Sequence, residues 1–356
     1  MAEEITLDDL ILSRIQTGFP LSAHPYDVLA DLFGVSSEAV QAATANLRER
    51  GIIRRIGATF DPSHLGYVST LAALAAPENR IDDIADIVNG YDEVTHNYQR
   101  DDRHSLWFTV IAPSRQRVSE VLSAIESRSA CGPVLDLPAT RLFKIRVNFP
   151  VAGMDVDRFQ PRTVVPADIC PSSFTDAERA LVRALQGDIG LGATPFADLA
   201  EDVGMTEDDV LGTVRRWIEE GIVRRLGAVV RHRTMGMTAN AMTVWNVPDG
   251  STVDGGEAMA SFTEVSHCYE RVRAEGWPHN LYAMIHGSTS EGCRQTAARI
   301  HAALAARGID VPDPHLLFSS KEFKKTSMRY FAEGTDHATP ADASHTTPHA
   351  GRRRTR

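Results

Sequence analysis

Two short blocks of the chain set histidine, tyrosine and arginine at alternate positions: His96, Tyr98 and Arg100 in VTHNYQR, and His267, Tyr269 and Arg271 in VSHCYER. Alternate residues of an extended strand share a face. Each block therefore presents an imidazole, a phenol and a guanidinium in one row. Burying such a row is costly unless it faces a polar cavity. Imidazole exchanges protons near neutral pH, and guanidinium holds carboxylates through paired hydrogen bonds. A lone strand histidine is usually structural. The same triplet at two matching places favours a functional row, with shared ancestry explaining part of the recurrence.

Trp277, Pro278, His279, Asn280, Tyr282 and His286 follow the second block closely, whereas the first is followed by His104 and the apolar Leu106-Trp107-Phe108. The denser polar cluster predicts a working pocket mainly in the second half, with basic residues reaching across from the first. The available cations are Arg54, Arg55, Arg100, Arg103, Lys144 and Arg146 in the first half, and Arg224, Arg225, Arg271, Arg273, Lys324 and Lys325 in the second. Each Arg-Arg pair also reads as a solvated strand edge, and Trp107 also reads as core. The histidines lack HxH or HExxH spacing and a nearby Cys/Asp/Glu set, so no metal of the protein's own is expected. No GxGxxG follows a strand and no P-loop is present, so no organic cofactor is expected either.

The elements that carry these residues come in two copies. GIIRRIGA at 51–58 matches GIVRRLGA at 221–228, and the His-Tyr-Arg blocks match with nearly the same offset, 51 to 221 and then 94 to 265. In each copy a helix ends at a glycine (Gly34, Gly204), a capped helix follows (Ser36, Thr206), and Gly51 or Gly221 stops it before a β-rich run. That outline predicts a winged helix-turn-helix. Strand and helix patterns then alternate as βαββαβ, over 67–149 in the first copy and 237–330 in the second, a ferredoxin-like order. Such a sheet leaves one face bare, and two fused copies can cover each other sheet to sheet as an intrachain pseudo-dimer. The expected organisation is α+β: helix-turn-helix 1–60, ferredoxin-like domain 61–150, proline-rich linker 151–173, helix-turn-helix 174–230, ferredoxin-like domain 231–333 and a disordered tail 334–356.

Composition narrows the class. Of 356 residues 43% are hydrophobic and 24% charged, which excludes wholesale disorder. No apolar run reaches membrane-helix length. The acidic start MAEEITLDDL predicts no signal peptide. Cys131, Cys170, Cys268 and Cys293 lack CxxC spacing and read as reduced thiols of a cytoplasmic protein. The net charge of −10 disfavours nucleic acid. A recognition helix must also bring cations to phosphate. The second such helix opens instead on Glu207-Asp208-Asp209. DNA binding is therefore not expected.

Helix-turn-helix, then GIIRRIGA, then βαββαβ resembles the Lrp/AsnC family of transcription regulators. VTHNYQR with LWFTVIA, and VSHCYERVRAEGWPHNLYAMIHG, more specifically resemble the siroheme decarboxylases, an enzyme branch of that architecture. Two non-identical units in one chain are similar to the fused D and L proteins of heme d1 biosynthesis, with the resemblance spanning about 8 to 330. It implies removal of carbon dioxide from two acetates of siroheme, giving 12,18-didecarboxysiroheme in heme d1 or alternative heme biosynthesis. Siroheme would be the substrate, with the macrocycle as electron sink. The resemblance implies His267 and His279 as acids, Tyr269 and Tyr282 as orienting groups, and Arg271 on the acetate. His96, Tyr98, Arg100, Arg54, Arg224, Lys144, Arg146, Lys324, Trp107, Trp277, Asn280 and His286 would bind substrate. A regulator sensing a small effector and a non-catalytic siroheme or heme carrier stay open. So do a further homo-oligomer and contacts with other heme d1 enzymes.

Overall fold

The computed structural model describes residues 5–145, 172–230 and 239–332. The first unit comprises α1 (Leu7–Thr17), α2 (Pro25–Phe33), α3 (Ser37–Glu49), β1 (Ile53–Phe60), β2 (Val68–Leu74), α4 (Ile81–Asn89), β3 (Val94–Arg100), β4 (Leu106–Ala112), α5 (Arg115–Ser129) and β5 (Leu135–Ile145). The second repeats the order with α6 (Asp176–Leu185), α7 (Pro195–Val203), α8 (Glu207–Glu219), β6 (Val223–Val230), β7 (Ala239–Trp245), α9 (Thr252–Ala260), β8 (Val265–Arg271), β9 (Leu281–Gly287), α10 (Ser290–Ala306) and β10 (His315–Lys325). Ser36 and Thr206 cap α3 and α8, each hydroxyl accepting from a backbone N–H three residues on. Gly34 and Gly204 end α2 and α7 in the left-handed region, at φ 68° and 70°. The expected linker, tail and Arg146 fall almost wholly outside the described residues.

Helices α1 and α6, which the sequence reading did not anticipate, each start in a capping box (Thr6 with Asp9, Thr175 with Glu178). They tie the two helical modules together. The β-rich run after each helix-turn-helix makes a single strand, and its partner comes from the other unit. β1 and β6 pair antiparallel with Gly57 opposite Gly227. The Phe19 amide after α1 donates to Leu226 of β6, and Ile189 after α6 donates to Ile56 of β1. A Cβ on Gly57 would lie 2.4 Å from the Gly187 carbonyl, and one on Gly227 2.5 Å from that of Ile15. Both modules share one core that includes Ile11, Ile15, Leu47, Leu181, Val182 and Trp217.

The remaining eight strands close into a barrel in the order β10-β3-β4-β2-β5-β8-β9-β7, with β7 returning to β10. Within each half the order is ferredoxin-like. The two sheets do more than face each other, because their edges also join. β5 and β10 have eleven residues each, whereas β2 and β7 have seven. Each long strand pairs first within its unit and then crosses, β5 to β8 and β10 to β3. Pairing spare backbone this way removes open sheet edges. Helices α4 and α5 cover the outside of the first half, and α9 and α10 that of the second. Leu137, Trp107, Met242, Trp277, Tyr282 and Leu317 fill the centre of the barrel. No helix among the described residues is long and apolar enough to cross a membrane.

Candidate active site

Strand register settles which face each row takes. Tyr98 lies opposite Trp107 and His96 opposite Thr109, while Asn97 and Phe108 point to the helices. Tyr269 lies opposite Tyr282 and His267 opposite Met284, with Cys268 and Ala283 outward. Both rows therefore face the interior. β3 and β8 stand four places apart around the ring of eight, so the rows oppose each other across it. Arg100 donates to the Leu317 carbonyl and Arg271 to that of Leu137, both at 2.7 Å. Each arginine thus bridges to a strand of the other unit. In both, Nε is buried without a hydrogen-bond partner, leaving one N–H for an incoming acceptor. The Arg271 guanidinium lies 4.9 Å from the Tyr269 ring centre and 5.5 Å from that of Tyr282.

The helical modules close one end of the row. Arg224 of β6 donates to Oδ2 of Asp61 through Nε (3.0 Å) and Nη2 (2.7 Å), across 163 residues. Burial opposes charge on both partners, and their mutual attraction outweighs it. Asp61 is held below the usual carboxylate range and Arg224 above its ordinary value. Arg224 also acts on Tyr269 and His267. Burial, then the charges of His286, Arg224 and His96, push His267 down to about 4. Burial and Lys325 push His96 to about 4 against the pull of Glu322. Burial raises Tyr269 and Tyr98 and takes Tyr282 to about 12, so the phenols keep their protons.

The two histidines differ in what supports them. His96 Nδ1 meets the Thr95 hydroxyl at 3.0 Å. His267 Nδ1 meets the Ser266 hydroxyl at 2.8 Å, and that oxygen also meets His286 Nε2 at 2.7 Å. The position matching His286 in the first unit is Ile111, which packs on the helical core.

Several expected site residues have other work. Lys144 donates to the carbonyls of Ala260 and Phe262, and Lys324 to those of Asn89 and Tyr91, so each holds the C-terminal end of a helix in the other unit. Asn280 accepts from the Val247 amide and donates to its carbonyl. Trp107 and Trp277 are 1% and 4% exposed, and their ring centres lie 5.3 Å apart in the barrel core. Arg54 is exposed on β1. Of the cations expected from the first unit, Arg100 lies in the interior row, and acidic Asp61 joins the site beside Arg224.

His279 is separated from His267. It sits beyond Tyr282 with Trp277 (4.7 Å between ring centres) and His315 (5.6 Å). Asp102 lies near this corner, 3.7 Å from both His104 and His315. The β3–β4 loop has five residues and the β8–β9 loop nine. On the short-loop side a cleft of about 620 Å³ opens beside Arg100, Asp101, Asp102, Arg103 and Glu78. Three acids against two arginines suit a polycarboxylate poorly. In the second unit Arg273 of the longer loop occupies the matching ground, paired with Asp249 and Val247. Asp61 and Ser266 escaped the sequence reading. The hydroxyl before each histidine (VTH, VSH) was a usable signal for Ser266, whereas nothing local marked Asp61.

The model of the AsnC-like ligand binding domain matches residues 64–144 and 234–324. The model of the siroheme decarboxylase NirDL-like HTH domain matches 8–54 and 178–224. The chain is 34% identical over 329 residues to a siroheme decarboxylase of Hydrogenobacter thermophilus, covering 91% of this chain and 95% of that one. It is 34% identical over 330 residues to the siroheme decarboxylase NirDL subunit of Paracoccus denitrificans, covering 90% and 97%. The crystal structure of the siroheme decarboxylase NirDL in co-complex with an iron-uroporphyrin III analogue superposes with a TM-score of 0.68 at 31% identity, over 91% of this chain and 94% of that one.

Proposed function

The chain belongs to the siroheme decarboxylase family, and on that premise we propose that it is a carboxy-lyase taking carbon dioxide from two acetate side chains of siroheme to give 12,18-didecarboxysiroheme. The reading places it in the cytoplasm, in heme d1 or alternative heme biosynthesis beside other enzymes of that route. It needs no organic cofactor, and the iron arrives with the substrate. One observation carries the proposal: His267, Tyr269 and Arg271 share an interior row beside the Arg224–Asp61 pair, facing the matched row of His96, Tyr98 and Arg100.

The chemistry asks for an anion site, a proton and protection from water. Arg271, with a spare Nε–H, takes the acetate carboxylate. Tyr269 and Tyr282, held protonated, orient it as donors. As the carboxylate carbon leaves, its bonding electrons pass onto the methylene carbon and into the macrocycle. His267 then delivers the proton that makes the methyl group. Arg224 answers further carboxylates of the substrate, and His96, Tyr98 and Arg100 form the opposite wall. His279, in its separate corner, is not the donor in this reading.

Anaerobic incubation with siroheme, followed by mass spectrometry, tests this. The expected products have lost one and then two carbon dioxide units. Siroheme bound with unchanged mass would leave a carrier. The regulator reading finds less support, because three of the four arginines at 36–50 and 206–220 are already paired: Arg48 with Asp188, Arg50 with Asp8, and Arg216 with Glu178.

A further inference from the structure

Among the described residues, only the second unit joins two imidazoles through one hydroxyl. Ser266 Oγ lies 2.8 Å from His267 Nδ1 and 2.7 Å from His286 Nε2. A hydroxyl donates one proton and accepts another, so this spacing suits a chain of two hydrogen bonds running in one direction. In the first unit the hydroxyl is present as Thr95, but Ile111 replaces the second imidazole. The arrangement is therefore not a by-product of the repeat.

We propose that Ser266 is a positioning residue that relays protons from His286 to His267, so that His267 serves as acid while remaining a neutral ring. The proposal rests on the decarboxylase reading above. His267 starts with its proton on Nε2, the nitrogen across the ring from Ser266. As the carbon–carbon bond breaks and carbon dioxide leaves, the bonding pair takes the Nε2 proton and becomes the new C–H bond. The Ser266 hydroxyl proton moves to His267 Nδ1, and the His286 Nε2 proton moves to Ser266 Oγ. His267 and Ser266 keep their charge, and His286 loses one proton, which solvent replaces.

The surroundings call for such a route. His267 is faced by Arg224 from β6, His96 from β3 and His286 from β9, and it packs beside Tyr269 (6.3 Å between ring centres) on its own strand. None of these is an anion, and Asp61, the carboxylate that acts on neighbouring Tyr269, is committed to Arg224. A charged imidazolium is therefore disfavoured there. A tautomer shift avoids forming one. His286 lies at the half-buried end of β9, where a proton can be exchanged with water.

The test compares Ser266→Ala with Ser266→Thr, which keeps the hydroxyl. With siroheme as substrate, Ser266→Ala should lower kcat roughly 10²-fold at constant KM. It should also remove the ionisation of His286 from the pH profile of kcat, and Ser266→Thr should recover most of the rate. In parallel, nitrogen-15 histidine spectra of the substrate-free proteins should show His267 and His286 responding to pH together in the wild type and separately in Ser266→Ala. An unchanged kcat and pH profile in Ser266→Ala overturns the relay while leaving the decarboxylase reading intact. If the wild type releases no carbon dioxide, that reading fails, and independent titration of the two rings then overturns the relay as well.

Discussion

His267 and His96 occupy matching strand positions, yet one is linked to a second imidazole and the other is not. His267→Ala should lower turnover by about 10²- to 10⁴-fold, the span of a general acid. His96→Ala should cost about tenfold or less, through substrate binding. Single-turnover rates on siroheme check this, and equal losses would mean two equivalent sites. Burial also makes these histidines sensors of acid. His96, His267 and His279 titrate at about 4 in the fold against 6.5 when unfolded. Between those values the unfolded chain binds more protons, so the stability they permit is complete above pH 6.5 and lost as pH falls towards 4. Melting temperature should fall steadily from pH 7 to 4.5, and His279→Gln should make the fall shallower. An unaltered slope would refute a neutral His279.

Lys144 and Lys324 show why residue type alone misleads at the scale of elements. Both look like carboxylate ligands in the sequence, yet each satisfies two carbonyls at the end of a helix in the other half. Lys324→Met should reduce stability by about 1–3 kcal/mol, the cost of unpaired acceptors, with KM for siroheme unchanged. Arg54→Ala, at an exposed position, should stay within about 0.5 kcal/mol. The pairing of β1 with β6 depends on Gly57 in a different way. A methyl there meets the Gly187 and Leu185 carbonyls at 2.4 and 2.6 Å, and backbone cannot give way as a side chain does. Gly57→Ala should destabilise by about 3 kcal/mol or more, at the upper end of overpacking effects. Chemical denaturation of these variants measures both effects.

For the whole molecule, two half-barrels joined at both edges, with a shared helical core beneath, make the halves one unit of structure. The helical modules hold each other and present Arg224 to the barrel, which gives them a task other than reading DNA. Promoter DNA should bind weakly and without sequence preference at physiological salt, since phosphate neutralisation supplies much of such affinity and Glu207, Asp208 and Asp209 occupy the leading turn of α8. Siroheme binding should persist in moderate salt, because apolar contacts are not screened and only the carboxylate pairs are. Absorbance titration of siroheme and anisotropy of labelled DNA in the same buffers decide it. Nanomolar, sequence-selective DNA binding without decarboxylation would return the chain to the regulators.

The sequence by itself determined what has a local period. The strand alternation that lines up His267, Tyr269 and Arg271, the helix caps at Ser36 and Thr206, and the duplicated GIIRRIGA run all lie within a few residues of their cause. The resemblance to the siroheme decarboxylases rests on the same short runs. What only the tertiary structure decided lies between distant segments: the two seams of the barrel, the Asp61–Arg224 pair 163 residues apart, and the separation of His279 from His267 despite only eleven residues between them in the chain. Strand pairing across the seams follows from which backbone edges remain unpaired once each half has formed. A loop such as 272–280 can carry a side chain to either end of a barrel. Neither outcome has a period that a local pattern of residues could record.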